Sequence, residues 1–201
     1  MTHQRTDLAG QERSTLILDE HFSHDRFAKH MKDQGWTVRN RSDAGTTGVR
    51  SVEEIWGKDG VPVAVHYLDD ECLWTKALWI RGRDIRTVLA DLSPKFGGPT
   101  APELLAHVNE AETTQERVVA IIRLAVGFAD AFDPDVLEVF THFAEDESVQ
   151  VRGAIVQALL YTEWPEALPL LRRLSADDEA EEIRDYATKA ISHLSKPMDE
   201  R

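Results

Sequence analysis

Three groups of residues carry the chemically able side chains of this sequence. The first is Asp19, Glu20, His21, His24, Asp25 and His30, a run of imidazoles and carboxylates, which are the ligand types of zinc. A zinc site on a helix needs its histidines on one face, as in His-Glu-x-x-His. Here His21 and His24 are three apart and His30 falls six further on, so the rings do not share a face. Solvated helix residues are the better reading, and no metal site is expected. The second group is His66 with Asp69 and Asp70, which could act as general acid and base or hold a small ligand if a cleft gathers them. A half-buried strand histidine is the plainer alternative. The third is Cys72, whose neighbours form no motif that marks a nucleophile. Gly45–Gly48 and Gly97-Gly98 lack the lysine and helix start of a phosphate loop and read as turns. Nothing in these groups requires a cofactor.

Composition narrows the class. Hydrophobic residues make up 42% and charged residues 29%, ordinary for a soluble globular chain. The single cysteine allows no intrachain disulfide and no cysteine-rich metal site. No apolar run reaches the roughly 18–20 residues that cross a bilayer. The opening Met1-Thr2-His3-Gln4-Arg5 leads into polar residues rather than an apolar signal core, so a cytoplasmic protein with no membrane contact is expected. The net charge of −13 is uneven. Residues 1–99 hold 15 acids and 14 bases, a net of −1; residues 100–201 hold 21 and 9, a net of −12. The second half should therefore repel nucleic acid and favour a basic partner, if charge decides at all.

Two kinds of structure must position these residues. Residues 1–14 are polar and aperiodic and read as a flexible tail. Thr15–Leu18 is a short apolar run that fits either a helix or a strand. Ser23 suits the N-cap of a helix over 24–34, with Phe27 and Met31 on one face and Gly35 at its end. Trp36–Asn40 alternates like a strand, and Val52–Trp56 and Val61–Leu68 flank the hairpin signal Gly57-Lys58-Asp59-Gly60. Cys72–Ile80 carries bulk on both faces and reads as a central strand, with Trp56, Trp74 and Trp79 assigned to the sheet core. Asp84 can cap a helix through Ile85, Val88, Leu89 and Leu92 that stops before Pro94. The sum is an α+β domain over residues 15–94, about four antiparallel strands with flanking helices, with Lys95–Pro99 as its boundary.

Beyond the boundary every segment reads as helix. Thr100-Ala101-Pro102-Glu103 and Thr113 with Glu116 are capping boxes, and Asp133-Pro134 opens a helix that turns Val136, Leu137, Phe140 and Phe143 inward. Val149–Leu160, a short helix opened by Trp164-Pro165, and roughly 180–194 complete the series. The segment Asp146–Ala190 repeats itself: Asp146 precedes Arg152 by six residues, Asp178 precedes Arg184 by six, and the two pairs are 32 residues apart. Val151-Arg152-x-Ala154-Ile155-x-x-Ala158-Leu159 returns as Ile183-Arg184-x-Tyr186-Ala187-x-x-Ala190-Ile191. A period of this length is the mark of a solenoid. These residues, with Trp164–Leu171 and Pro134–Phe143, resemble HEAT repeats, in particular the short HEAT-like type also found in phycobilisome lyases. A poorer third copy has Arg117 but Ala111 where its aspartate should stand.

The resemblance implies an α-solenoid of about three helix pairs over residues 100–195, in which Asp146 and Asp178 pair with Arg152 and Arg184, or with backbone, between neighbouring units. It also implies a binding surface rather than a reaction. Bilin lyases share the repeat type, yet no tetrapyrrole site stands out, and HEAT-like DNA glycosylases would want a basic concave face. The acidic residues Glu145, Glu147, Asp177, Glu179, Glu181 and Glu182 fall at equivalent inter-helix turns, where stacking would gather them into a negative ridge. The function expected is a non-enzymatic, scaffold-like protein-binding module, of the immunity or inhibitor type, for a partner with a basic surface. The alternative is an enzyme or small-ligand binder that uses His66, Asp69 and Asp70 in the α+β domain or at the domain junction.

Overall fold

The computed structural model describes residues 5–6, 12–19, 21–44, 51–71 and 74–195, and the chain divides into two compact units, Met1–Ala101 and Pro102–Arg201. In the first unit, six strands form one antiparallel sheet in the order β1-β2-β6-β5-β4-β3. They are β1 (Arg5–Thr6), β2 (Glu12–Ile17), β3 (Thr37–Ala44), β4 (Ser51–Lys58), β5 (Val61–Asp70) and β6 (Thr75–Gly82). Helix α1 (His24–Asp33) follows β2, and α2 (Arg86–Phe96) follows β6. The β4–β5 hairpin turns where its sequence says it should, with Gly60 at φ +78°, a left-handed conformation that glycine adopts without strain. Alternation along the strands sends Trp56, Val63, Val65, Tyr67, Leu78 and Ile80 to one face. There they pack with Phe27 and Met31 of α1 and with Leu89, Leu92 and Phe96 of α2. The α+β class is as expected, with six strands in place of about four.

Four local expectations are corrected. Glu12–Ser14 and Arg5–Thr6, assigned to the flexible tail, lie in strands β2 and β1. Trp74, assigned to the sheet core, stands in the turn before β6; it is 47% exposed at φ +46°, and its N–H donates to Glu71 O at 3.3 Å. The turn it closes keeps the tryptophan out of the ladder. Cys72 and Leu73, on the same stretch, lie outside the described residues. Asp84 does not cap α2: it sits at φ +58°, and the acceptor for the Ile85 N–H is Glu12 Oε2 of β2 at 3.2 Å. Finally, α2 runs through Pro94 to Phe96. A proline within a helix costs about 3 kcal/mol. Burying Phe96 against the rings of Phe22 and Phe27 recovers a comparable amount, roughly 1.5–3 kcal/mol.

The second unit is all helix: α3 (Ala101–Glu110), α4 (Thr114–Gly127), α5 (Pro134–Phe143), α6 (Val149–Thr162), a 3-10 turn (Pro165–Ala167), α7 (Leu168–Asp177) and α8 (Glu181–Leu194). Two of the sequence signals for its helix starts are used. Thr113 and Glu116 form a complete capping box on α4, and Asp133 Oδ1 accepts from the N–H groups of Asp135 and Val136 ahead of Pro134. The second helices of the pairs, α4, α6 and α8, pack in series, with α6 in the middle. That position explains why α6 has no polar face to speak of: Val151, Ile155, Val156, Ala158 and Leu159 are all fully buried, as a helix enclosed on several sides must be. Ala154, Ala158, Ala187 and Ala190 are buried and let the helices approach closely.

Candidate functional site

The repeat residues form a ladder along one edge of the helical array. Asp146 and Asp178 each sit at the turn between two helices and accept from the backbone there. Asp146 Oδ1 takes the Ser148 N–H at 2.8 Å, and Asp178 Oδ1 takes the Ala180 N–H at 2.9 Å. Arg117 and Arg152 each span two turns. Arg152 donates from Nη1 to the carbonyls of Asp146 and Glu147, at 2.9 and 3.2 Å, within its own turn. Its Nε and Nη2 then form a two-pronged contact with Asp178 of the following turn, at 2.8 and 3.0 Å, and Nη2 also reaches Glu179 Oε1 at 3.3 Å. Arg117 does the same one rung earlier, donating to Glu112 O at 3.3 Å and pairing with Asp146. Arg184 repeats the inward half alone, donating to the carbonyls of Asp178 and Glu179 at 2.6 and 3.0 Å.

The rule of the ladder is that an arginine holds its own turn by carbonyls and the next turn by a carboxylate. The aspartate missing at Ala111 does not cost Arg117 its carboxylate, because the partner of Arg117 is Asp146, although Arg117 Nε is buried without a partner. The Arg152–Asp178 rung is the deepest, with side chains 5% and 2% exposed. Such a pair is tolerable because the fork of a guanidinium matches two carboxylate oxygens and every remaining polar atom finds an acceptor or donor. The hydrogen bonds to Asp178 raise the Arg152 pKa further above its usual value against the opposing effect of burial. Burial pushes the Asp178 carboxyl up, but the bonds from Arg152 and Ala180 and the charges of Arg152 and Arg184 outweigh it and hold the group below its usual range.

Because the ladder joins the α3–α4, α5–α6 and α7–α8 turns, it sets their acidic residues side by side. Glu145, Glu147, Asp177, Glu179, Glu181 and Glu182 are all exposed, whereas Asp146 and Asp178 are turned inward into the pairs. The edge is not unbroken negative charge. Arg173 of α7 reaches Glu145 at 2.8 Å, and Arg152 touches Glu179. Sequence reading missed Arg173, since a lone arginine outside the repeat pattern carries no signal of its partner. It also missed the Arg117–Asp146 rung, although Arg117 occupies the equivalent position in the poorer copy.

The other candidate groups do not converge. His66 lies on β5 with Nδ1 at 2.7 Å from Glu53 Oε1, while Asp69 projects to the opposite face, 3.2 Å from the Tyr67 hydroxyl and 3.4 Å from Lys76 Nζ. Asp70 shares the face of His66 but stands four residues along the strand, roughly 13 Å away. Of the histidine-rich cluster, His24 bonds Glu54 at 2.8 Å and His30 bonds Asp91 at 2.7 Å, so two of its rings take separate partners. Among the described residues no group of three or more His, Cys, Asp or Glu could hold a metal ion. Glu20 and Cys72 lie outside those residues.

Residues 101–192 match the family model for HEAT repeats. The C-terminal part of the chain is a HEAT-repeat array. No curated protein and no solved structure matches the chain. HEAT repeats generally mediate protein–protein interaction, so the array is a surface suited to binding another protein. Among the described residues no helix is long and apolar enough to cross a membrane.

Proposed function

We propose that the HEAT array is a non-enzymatic protein-binding module whose acidic edge docks the basic surface of a partner, in the manner of an immunity or inhibitor protein that covers a basic effector. The observation that supports this reading is the exposure of Glu145, Glu147, Asp177, Glu179, Glu181 and Glu182 at or beside two consecutive turns that the arginine ladder joins. A cluster of exposed carboxylates steers an oppositely charged surface towards the edge that carries it. The surplus of acids in residues 100–201, 21 against 9 bases, supports a basic partner and disfavours nucleic acid. The lone cysteine accords with a cytoplasmic setting. The test is affinity capture from native lysate with the full chain and with a Glu179→Lys, Glu181→Lys, Glu182→Lys variant, both washed at rising salt. A basic protein retained by the unaltered chain, released by salt and missed by the variant is the expected result. Equal capture by both would sink the acidic-edge reading.

A further inference from the structure

The array holds a second feature, independent of the acidic edge. A groove of about 440 Å³ lies between α3 and α4. Leu104, Val119 and Ala120 give it an apolar patch beside His107, and Glu116 adds a third carboxylate on the side of the α3–α4 turn. Glu110 and Glu112 flank the end at the α3–α4 turn, and Arg123 lines the other end, roughly 13 Å along α4. Arg123 is half-buried, its Nε is fully buried without a hydrogen-bond partner, and it makes no ion pair among the described residues. Arg117 Nε is buried without a partner as well, but Arg117, Arg152, Arg173 and Arg184 each donate through at least one guanidinium nitrogen to a carboxylate or carbonyl. The Nη atoms of Arg123 are not buried and have no partner among the described residues, so an anion from outside can take them as donors. The planar fork fits a carboxylate, and the apolar patch fits a hydrocarbon body. Glu110 and Glu112 would repel a second carboxylate at the far end, which sets a selectivity.

We propose that the α3–α4 groove is a binding site for a monocarboxylate with an aliphatic body, its carboxylate on Arg123 and its body between Leu104, Val119 and Ala120. A free short-chain acid and the C-terminus of a protein chain ending in an aliphatic residue share this chemistry. The test is titration of the isotope-labelled full chain, followed by amide NMR, with hexanoate, N-acetyl-leucine, hexanamide and adipate as probes. Hexanoate or N-acetyl-leucine should shift amides of residues 104–123 saturably. Hexanamide and adipate should bind at least about tenfold more weakly, and Arg123→Gln should weaken the carboxylates by a similar factor. Tighter binding of N-acetyl-leucine assigns the site to a chain terminus, and tighter binding of hexanoate assigns it to a free acid. Absence of saturable binding by either carboxylate, or equal binding of hexanamide, overturns the proposal. Should Arg123→Gln unfold, the hexanamide and adipate comparisons on the unaltered protein still decide it.

Discussion

At the scale of single residues, the deepest charges in the array are the ones a mutation would expose most clearly. Replacing Asp178 with Asn keeps the shape but leaves Arg152 half-neutralised in a site with almost no water. The expected loss is about 3–5 kcal/mol, the usual result of removing one member of a buried pair. Replacing Arg184 with Met removes only hydrogen bonds to two carbonyls at a half-exposed position, and about 1–3 kcal/mol is expected. Denaturant unfolding of the two variants measures the difference, and equal losses would mean that the ladder is not the buried support described above. The same rung predicts an acid response. The Asp178 carboxyl is held below its usual range in the folded chain, so its contribution is complete above about pH 4 and is lost as pH falls through the lowered folded value. The stability gap between the unaltered chain and Asp178→Asn should therefore be constant near neutrality and narrow below about pH 4. A gap that closes between pH 5 and 7 would assign it to some other group. The Asp and Arg of this rung were legible because they recur at 32 residues. Which Asp each Arg grips was not, since both the same and the next turn lie within reach of the side chain.

Elements were legible in proportion to how local their causes are. The helices of the array start at Thr113, Asp133 and Trp164-Pro165, where short-range capping and proline geometry act within a few residues. Strand β2 was not legible, because Glu12-Arg13-Ser14-Thr15 has no apolar run of its own and becomes a strand by pairing with β6 across more than sixty residues. The extension of α2 beyond Pro94 likewise has a distant cause, the packing of Phe96 between Phe22 and Phe27. This yields a prediction about the element rather than the side chain alone. Phe96→Ala should cost about 3–5 kcal/mol, as large-to-small changes at buried aromatics do. It should also release the last turn of α2, so amide exchange at Lys95 to Gly97 should rise more than at Leu89. Uniform exchange along α2 would show that Pro94 does not weaken the turn and that Phe96 is not what holds it. The groups read in sequence as chemistry failed to assemble for an equally physical reason. Alternation along β5 sends His66 and Asp69 to opposite faces because an odd number of residues, three, separates them.

At the scale of the whole molecule the asymmetry of charge is the property with the widest reach, because it acts before any contact forms. A net of −12 on residues 100–201 beside a net of −1 on residues 1–99 makes the array the source of any long-range attraction to a basic partner. Fields of this kind act mainly on the rate of encounter and are screened over about 10 Å at 0.1 M salt. The association rate with the captured partner should therefore fall steeply as salt rises, while the dissociation rate changes little. In the variant carrying Lys at positions 179, 181 and 182, which halves the net charge of residues 100–201 from −12 to −6, the association rate should be lower at low salt and should fall less steeply as salt rises. Glu181 and Glu182 occupy the first turn of α8, where acids favour the helix dipole, so their reversal also costs up to about 1 kcal/mol each. A melting curve separates that local penalty from lost steering, since weakened folding raises the dissociation rate and the unfolded fraction without reducing the slope of the salt response. If the unaltered chain associates at a rate indifferent to salt, the edge is a solubility surface and the partner must be sought through the α3–α4 groove instead.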